Sequence, residues 1–287
     1  MDVRYLGGNP WHTVDDPLVD QRETPIAIEK AIPELLWTAL TCSDGIFDRA
    51  SKRHPSPRSG QDVRPMRAWE PGAQAVQIRL SRAAVMLIGF SGIRREEAAR
   101  VTRDRCHPVP ETVGQTEPLW EIAVLGKRRK WRTVFVPERV IDALRAHWHD
   151  RGLDFDSPMI SKQALLAPVV IAAHAKAEER HIGRDLAGAP YLVGCNFTPD
   201  GIYRVIVSSL ARLANDAELE LAEGERQLLR KAPHALRHTF ASGMVAKGVP
   251  VDVLQRLLGH MSIQTTTIYV RAERTRSIQE LARIYGA

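Results

Sequence analysis

The chain has 287 residues, enough for one large domain or two ordinary ones whose core needs no disulfide or metal staple. Hydrophobic residues make up 44% and charged residues 26%, which excludes the disordered, collagenous and membrane classes. Forty Lys and Arg against 34 Asp and Glu give a formal charge of +6, a basic balance that suits a phosphate-bearing partner. Cys42, Cys106 and Cys195 are too scattered for a disulfide framework or a CxxC metal site, which points to a reducing cytoplasm. The opening MDVRYLGGNPWH has no signal-peptide pattern, and the longest strongly apolar run, Ala83 to Phe90, is far below the roughly 18 residues of a membrane span.

Residues 1–23 are rich in Gly, Pro and Asp without periodicity and read as an extended leader. The apolar positions Ile26, Ile28, Ile32, Leu35, Leu36 and Leu40 predict a helix, with Thr24 as cap, Pro25 as first residue and Pro33 as a kink or a restart. Residues 51–72 mix Pro, Gly, Ser and basic residues without an apolar face, the pattern of an exposed or phosphate-contacting loop. Gln77 to Phe90 predicts a strongly apolar helix that stops at Ser91 and Gly92. A second helix starts at once, with Glu96 and Glu97 in its first turn, where carboxylates suit the dipole, and Ala98 and Val101 facing inward.

Leu119 to Leu125 and Trp131 to Val136 are rich in β-favouring residues and predict a strand pair, with Lys127 in the short basic turn GKRRK between them. Helices follow at Glu138 to His149 and, with Thr198 as cap and Pro199 at its first position, at Thr198 to Leu213. The intervening 160–197 mixes Ala-rich and Gly/Pro-rich pieces and reads as an insertion without an assignable function. The fold class expected is mainly α with a small antiparallel β-sheet.

From Lys231 the chain runs KAPHALRHTFASGMV, with Pro233 suited to a first turn and His234 and Arg237 three apart on one helical face. VDVLQRLLGH is an amphipathic helix stopped by Gly259, which leaves His260 just past the stop. Ser262 caps IQTTTIYV, and Tyr269 lies nine positions after His260. His234 and His238 have the spacing of a zinc pair, but Ala235 replaces the Glu of HExxH and no further ligand is in sight. LIGFSGI falls short of a serine elbow because Ile93 takes the place of the last glycine.

HALRHTF at 234–240, LLGH at 257–260 and Tyr269 resemble the signature of the tyrosine recombinase (phage-integrase) family. SGIRREE resembles its first arginine motif, which maps onto Arg94 with Glu97 at the acidic position, and GKRRKWR resembles its lysine-bearing turn, which maps onto Lys127. The resemblance implies a catalytic domain that cuts and rejoins double-stranded DNA through a 3′-phosphotyrosine, with no metal, ATP or other cofactor. Arg94 and Arg237 would clamp the phosphate with fixed, always-charged donor forks, and His260 would support them with a hydrogen bond. Tyr269, with an ordinary pKa near 10, would attack with His234 as proton acceptor, and Lys127 would protonate the leaving 5′ oxygen. Glu97 supports the site, and Arg128, Arg129, Lys130 and Arg132 are the expected DNA contacts.

The resemblance further implies a homo-oligomer on DNA, a tetramer in the synaptic complex, with no membrane role. Asn9, Pro10 and Trp11 resemble the family's interdomain linker, so 24–287 is expected to be the catalytic domain, with insertions around 45–75 and 160–197 and without the family's amino-terminal core-binding domain. Two positions depart from the pattern: Ala232 replaces a frequent Ser or Thr cap, and Arg128 replaces the glycine of the GKG turn. The alternatives are a type IB topoisomerase, a DNA-binding regulator that no longer cuts, and a metal-dependent nuclease, the last disfavoured because no carboxylates cluster near the basic motifs. Ile278, Leu281, Ala282 and Tyr285 form an apolar stripe expected to pack on the same domain or dock on a neighbouring protomer.

Overall fold

The computed structural model describes residues 31–42, 44–53, 65–110, 117–126, 129–157, 162–193, 195–216, 221–229, 234–260 and 266. At its centre lies a helix, α3 (Ala73–Ser91), preceded by α1 (Glu34–Thr41) and α2 (Ile46–Arg53). Ala83 to Ile88 are buried on every side of α3, because α2 and three later helices pack around it. Each of Val85, Met86, Leu87 and Ile88 removed from water contributes about 1.5–3 kcal/mol. Gly92 stops α3 in the left-handed conformation, at φ 63°, and its N–H bonds the Ile88 carbonyl at 2.8 Å.

Pro33 restarts the chain: it is the extended residue before α1, and its carbonyl accepts from the Trp37 N–H at 2.8 Å. The expected stretch before residue 31 lies outside the described residues. Helix α2 was not anticipated from the sequence. Its charged residues Asp48, Arg49, Lys52 and Arg53 hide a short stripe of Ile46, Phe47 and Ala50 that is buried against α3. The expected loop over 51–72 is likewise corrected at both ends, since α2 reaches Arg53 and Met66 is 1% exposed, bridged in parallel to Val170.

After α3 come the short α4 (Arg95–Ala98), a 3-10 turn at Arg103–Arg105, and a three-stranded antiparallel sheet in the order β1 (Cys106–Pro108), β2 (Leu119–Leu125), β3 (Trp131–Pro137). The register pairs Ile122 with Val134 and Leu125 with Trp131, so Trp120, Ile122, Val124, Val134 and Val136 share the inner face. Helix α5 (Glu138–Asp150) follows directly and lies along α3. There Asp150, 1% exposed on its side chain, accepts two 2.7 Å hydrogen bonds from Arg79, the bidentate geometry that a buried pair requires.

The first part of 160–197 is core: Ala164, Leu165, Leu166, Val169 and Ile171 are buried, and the Leu165 N–H bonds Val101 at 3.0 Å. Its second part is peripheral, with α6 (Ala175–His181) and a hairpin of β4 (Ile182–Arg184) and β5 (Pro190–Leu192). Helix α7 (Pro199–Asn215) starts as its sequence dictates, the Thr198 hydroxyl accepting from the Gly201 N–H at 3.0 Å. The chain continues through α8 (Glu223–Leu229), α9 (His234–Ala246) and α10 (Val251–Leu258). The mainly helical fold with one small antiparallel sheet is the class expected, and no helix among the described residues is long and apolar enough to cross a membrane.

Candidate active site

Four element ends meet at one place: the α3 stop at Gly92, the start of α4, the turn end of β2–β3, and the α10 stop at Gly259. Arg94 is the extended residue before α4, and the Glu97 carboxylate accepts from the Arg94 N–H at 2.7 Å, the carboxylate half of a capping box. The Arg94 guanidinium stands 3.4 Å from the same carboxylate and keeps a third of its side chain exposed. That exposure is what a group meant to meet a ligand needs.

Glu97 is 4% exposed and accepts two hydrogen bonds from Arg132, at 2.5 and 2.8 Å, so β3 is locked to α4. Burial alone would raise the Glu97 carboxyl. The Arg132 hydrogen bonds and charge, with those of Arg94, outweigh it and hold the group below its ordinary value. The remaining Arg132 edge donates to the Leu257 carbonyl at 2.9 Å, which ties α10 into the same lock. No motif signals this lock, and an expected DNA contact at Arg132 meets a side chain only 12% exposed and turned onto protein acceptors. Close approach explains two glycines nearby: a Cβ at Gly126 or Gly259 would lie 3.1 Å from Arg132 atoms.

Arg237, on α9, donates to the Gly92 carbonyl and, at 2.6 Å, to the Leu258 carbonyl. Both acceptors are at helix C-termini, where carbonyls lack helical partners and carry the negative end of the dipole. One guanidinium thus caps two helices and is fixed by both. Arg94 and Arg237 line one cleft of about 150 Å³ with Ile88, Ile93, Arg95, Glu96 and Tyr203. Arg95 lies over the Tyr203 ring at 5.9 Å and pairs with Asp200 at 3.5 Å, neighbours that no motif flagged. A larger cavity, about 330 Å³ between α2, α3 and α7, shares no residue with this cluster.

His260 follows Gly259, which ends α10 at φ 63°. Its N–H bonds the Gln255 carbonyl at 3.1 Å, and its ring Nδ1 is 2.9 Å from the hydroxyl of Thr266, a fully buried residue that no motif marks. Burial first, then the charges of Arg237, Arg94, Arg132 and His238, lowers the ring from 6.5 to about 4, so it is neutral at working pH. Helix α9 places His234 and Arg237 one turn apart as expected, while the His234 side chain, Lys127, Arg128 and Tyr269 lie outside the described residues. Arg129 and Lys130 are exposed at the turn, and the positive φ of 58° falls on Arg129. Among the described residues no His, Cys, Asp or Glu cluster could hold a metal ion.

Two arginines fixed beside a neutral histidine form an arrangement that can hold an anionic oxygen group such as phosphate. Residues 203–276 match the family model described as the phage integrase family. The tyrosine recombinase XerA of Thermococcus onnurineus (strain NA1) is 46% identical over 63 residues, covering 21% of this chain and 22% of that protein. The tyrosine recombinase of Thermosipho africanus (strain TCF52B) is 23% identical over 189 residues, 66% of this chain and 48% of that protein. The matches thus span from about a fifth to about half of these relatives' length. Among solved structures, the XerH site-specific recombinase bound to palindromic difH substrate aligns with a TM-score of 0.48 and 19% identity, over 84% of this chain and 52% of that one.

Proposed function

We propose that this protein is a site-specific DNA recombinase that cuts and rejoins double-stranded DNA through a 3′-phosphotyrosine. The observation that carries the reading is the shared cleft of Arg94 and Arg237, with His260 close enough for both charges to shift its ring. Attack on a phosphodiester adds charge to non-bridging oxygens, and prearranged guanidinium forks stabilise that charge without metal. Tyr269 is the nucleophile, His234 accepts its proton, and Lys127 protonates the 5′ leaving oxygen from the β2–β3 turn. Glu97 holds Arg94, Arg128, Arg129 and Lys130 meet the DNA backbone, and Arg132 serves by position rather than by contact. Rejoining needs no ATP, because the phosphotyrosine conserves the energy of the broken bond. The working assembly is a cytoplasmic homo-oligomer, tetrameric on paired sites, built on a catalytic domain over 24–287.

The test is covalent trapping on nicked duplexes carrying candidate sites. Wild type yields an SDS-resistant adduct in EDTA, and Tyr269→Phe binds the same DNA but yields none. An adduct that persists without the Tyr269 hydroxyl refutes the assignment, and cutting that needs magnesium restores the nuclease alternative.

A further inference from the structure

The contact between His260 and Thr266 leads beyond the motifs. Neutral imidazole carries one hydrogen, on either ring nitrogen, and only the form with hydrogen on Nε2 can donate to a phosphate oxygen while Nδ1 faces Thr266. The cations do not select that form. Arg94, Arg132 and Arg237 all act on this ring, and their field favours a bare nitrogen turned towards them. A second group must therefore set the tautomer.

Thr266 is fully buried, and its hydroxyl oxygen is 2.9 Å from Nδ1. Its hydrogen needs an acceptor, since a buried hydroxyl left unmatched is costly. Nδ1 provides one, and among the described residues no other is seen. The backbone of His260 is held on both sides, its N–H on the Gln255 carbonyl at 3.1 Å and its carbonyl 3.3 Å from the Gln255 amide nitrogen. The main chain that carries the ring is thus held in place beside the hydroxyl.

We propose that Thr266 is a positioning residue: its O–H donates to His260 Nδ1, which puts the ring hydrogen on Nε2 and aims a donor at the phosphate held by Arg94 and Arg237. The part of this that concerns phosphate rests on the recombinase reading. The tautomer itself does not.

Histidine-labelled ¹⁵N spectra of the full chain, alone and with inorganic phosphate, read the tautomer directly, and His260→Asn identifies the resonances. Wild type should show hydrogen on Nε2 and bare Nδ1 in both samples. Thr266→Val should mix the tautomers and slow adduct formation about tenfold, the worth of one hydrogen bond. Thr266→Ser should restore the wild-type spectrum and most of the rate, and Thr266→Val should cost nothing further in the His260→Asn background. Hydrogen on Nδ1 in wild type overturns the proposal, as does an equal loss from Thr266→Val with and without the imidazole. If Thr266→Val fails to fold, the wild-type and Thr266→Ser spectra still decide. A wild type that forms no DNA adduct defeats the recombinase reading alone, because the spectra stand without it.

Discussion

Removing Glu97 tests the lock beneath the site. Glu97→Ala deletes the two carboxylate acceptors of Arg132 and the return bond to the Arg94 N–H, and leaves a guanidinium that is only 12% exposed without its counter-charge. Breaking a buried pair from one side costs about 3–5 kcal/mol, to which the lost cap adds about 1 kcal/mol. Arg132→Ala should cost a similar amount, because it strands a carboxylate that is 4% exposed and also frees the Leu257 carbonyl. The two losses share one cause, so the double variant should lose well less than the sum of the single losses, with a coupling of about 2–3 kcal/mol. Urea unfolding of all four proteins measures this, provided the slope with denaturant is unchanged. Single losses under about 1 kcal/mol, or simple additivity, would refute the claim that this pair holds β3, α4 and α10 together.

Lys127→Ala should cut poorly on ordinary DNA and recover on a duplex with a 5′-bridging sulfur, whose thiolate leaves without a proton; absence of rescue would give Lys127 a binding role instead. Acid should destabilise the fold in two stages. His260 binds a proton less readily folded, at about 4, than unfolded, at 6.5, so stability is complete above 6.5 and falls as pH drops towards 4, with buried His147 shifted in the same direction. Glu97, lowered from 4.5, then contributes stability that is present above that value and lost as pH falls through its folded pKa. Melting temperatures from pH 8 to 4 should therefore slope less in His260→Asn than in wild type, and identical slopes would contradict the assignment. Gly92→Ala should cost about 2–4 kcal/mol, since φ is 63° and the new Cβ would stand 2.4 Å from the Phe240 ring; a thermal melt within a degree or so of wild type would show that the ring moves aside freely.

Much of this molecule was legible in one dimension because the signals are local. The α3 stop at Gly92, the Thr198 cap, the alternation over Leu119–Leu125 and Trp131–Pro137, and the Gly259 stop before His260 are decided by neighbours within a turn or a strand, and each falls where its residues place it. Helix α2 escaped because four charged residues outweigh a three-residue stripe whose partner, α3, is far along the chain. The burial of Met66 and of Ala164 to Ile171 was hidden for the same reason: Met66 pairs with Val170, 104 positions on, and Ala164 with Thr102, 62 positions back.

The site divides in the same way. Short motifs singled out Arg94, Arg237 and His260, Arg237 and His260 by their place on or just past a helix and Arg94 by the family resemblance of SGIRREE, because each motif is read within a few residues. What holds them did not follow from spacing. Arg132 reads as one more cation in a basic turn until β3 lays it against Glu97, 35 positions away, and Arg237 is oriented by the Gly92 carbonyl, 145 positions away. Thr266 is an ordinary helix residue in sequence and becomes the partner of His260 only because its hydroxyl lies 2.9 Å from the ring Nδ1. The sequence by itself determined which groups carry charge and where helices stop; only the tertiary structure decided which cations are spent on the protein and which remain for a ligand, because that depends on acceptors brought from distant parts of the chain.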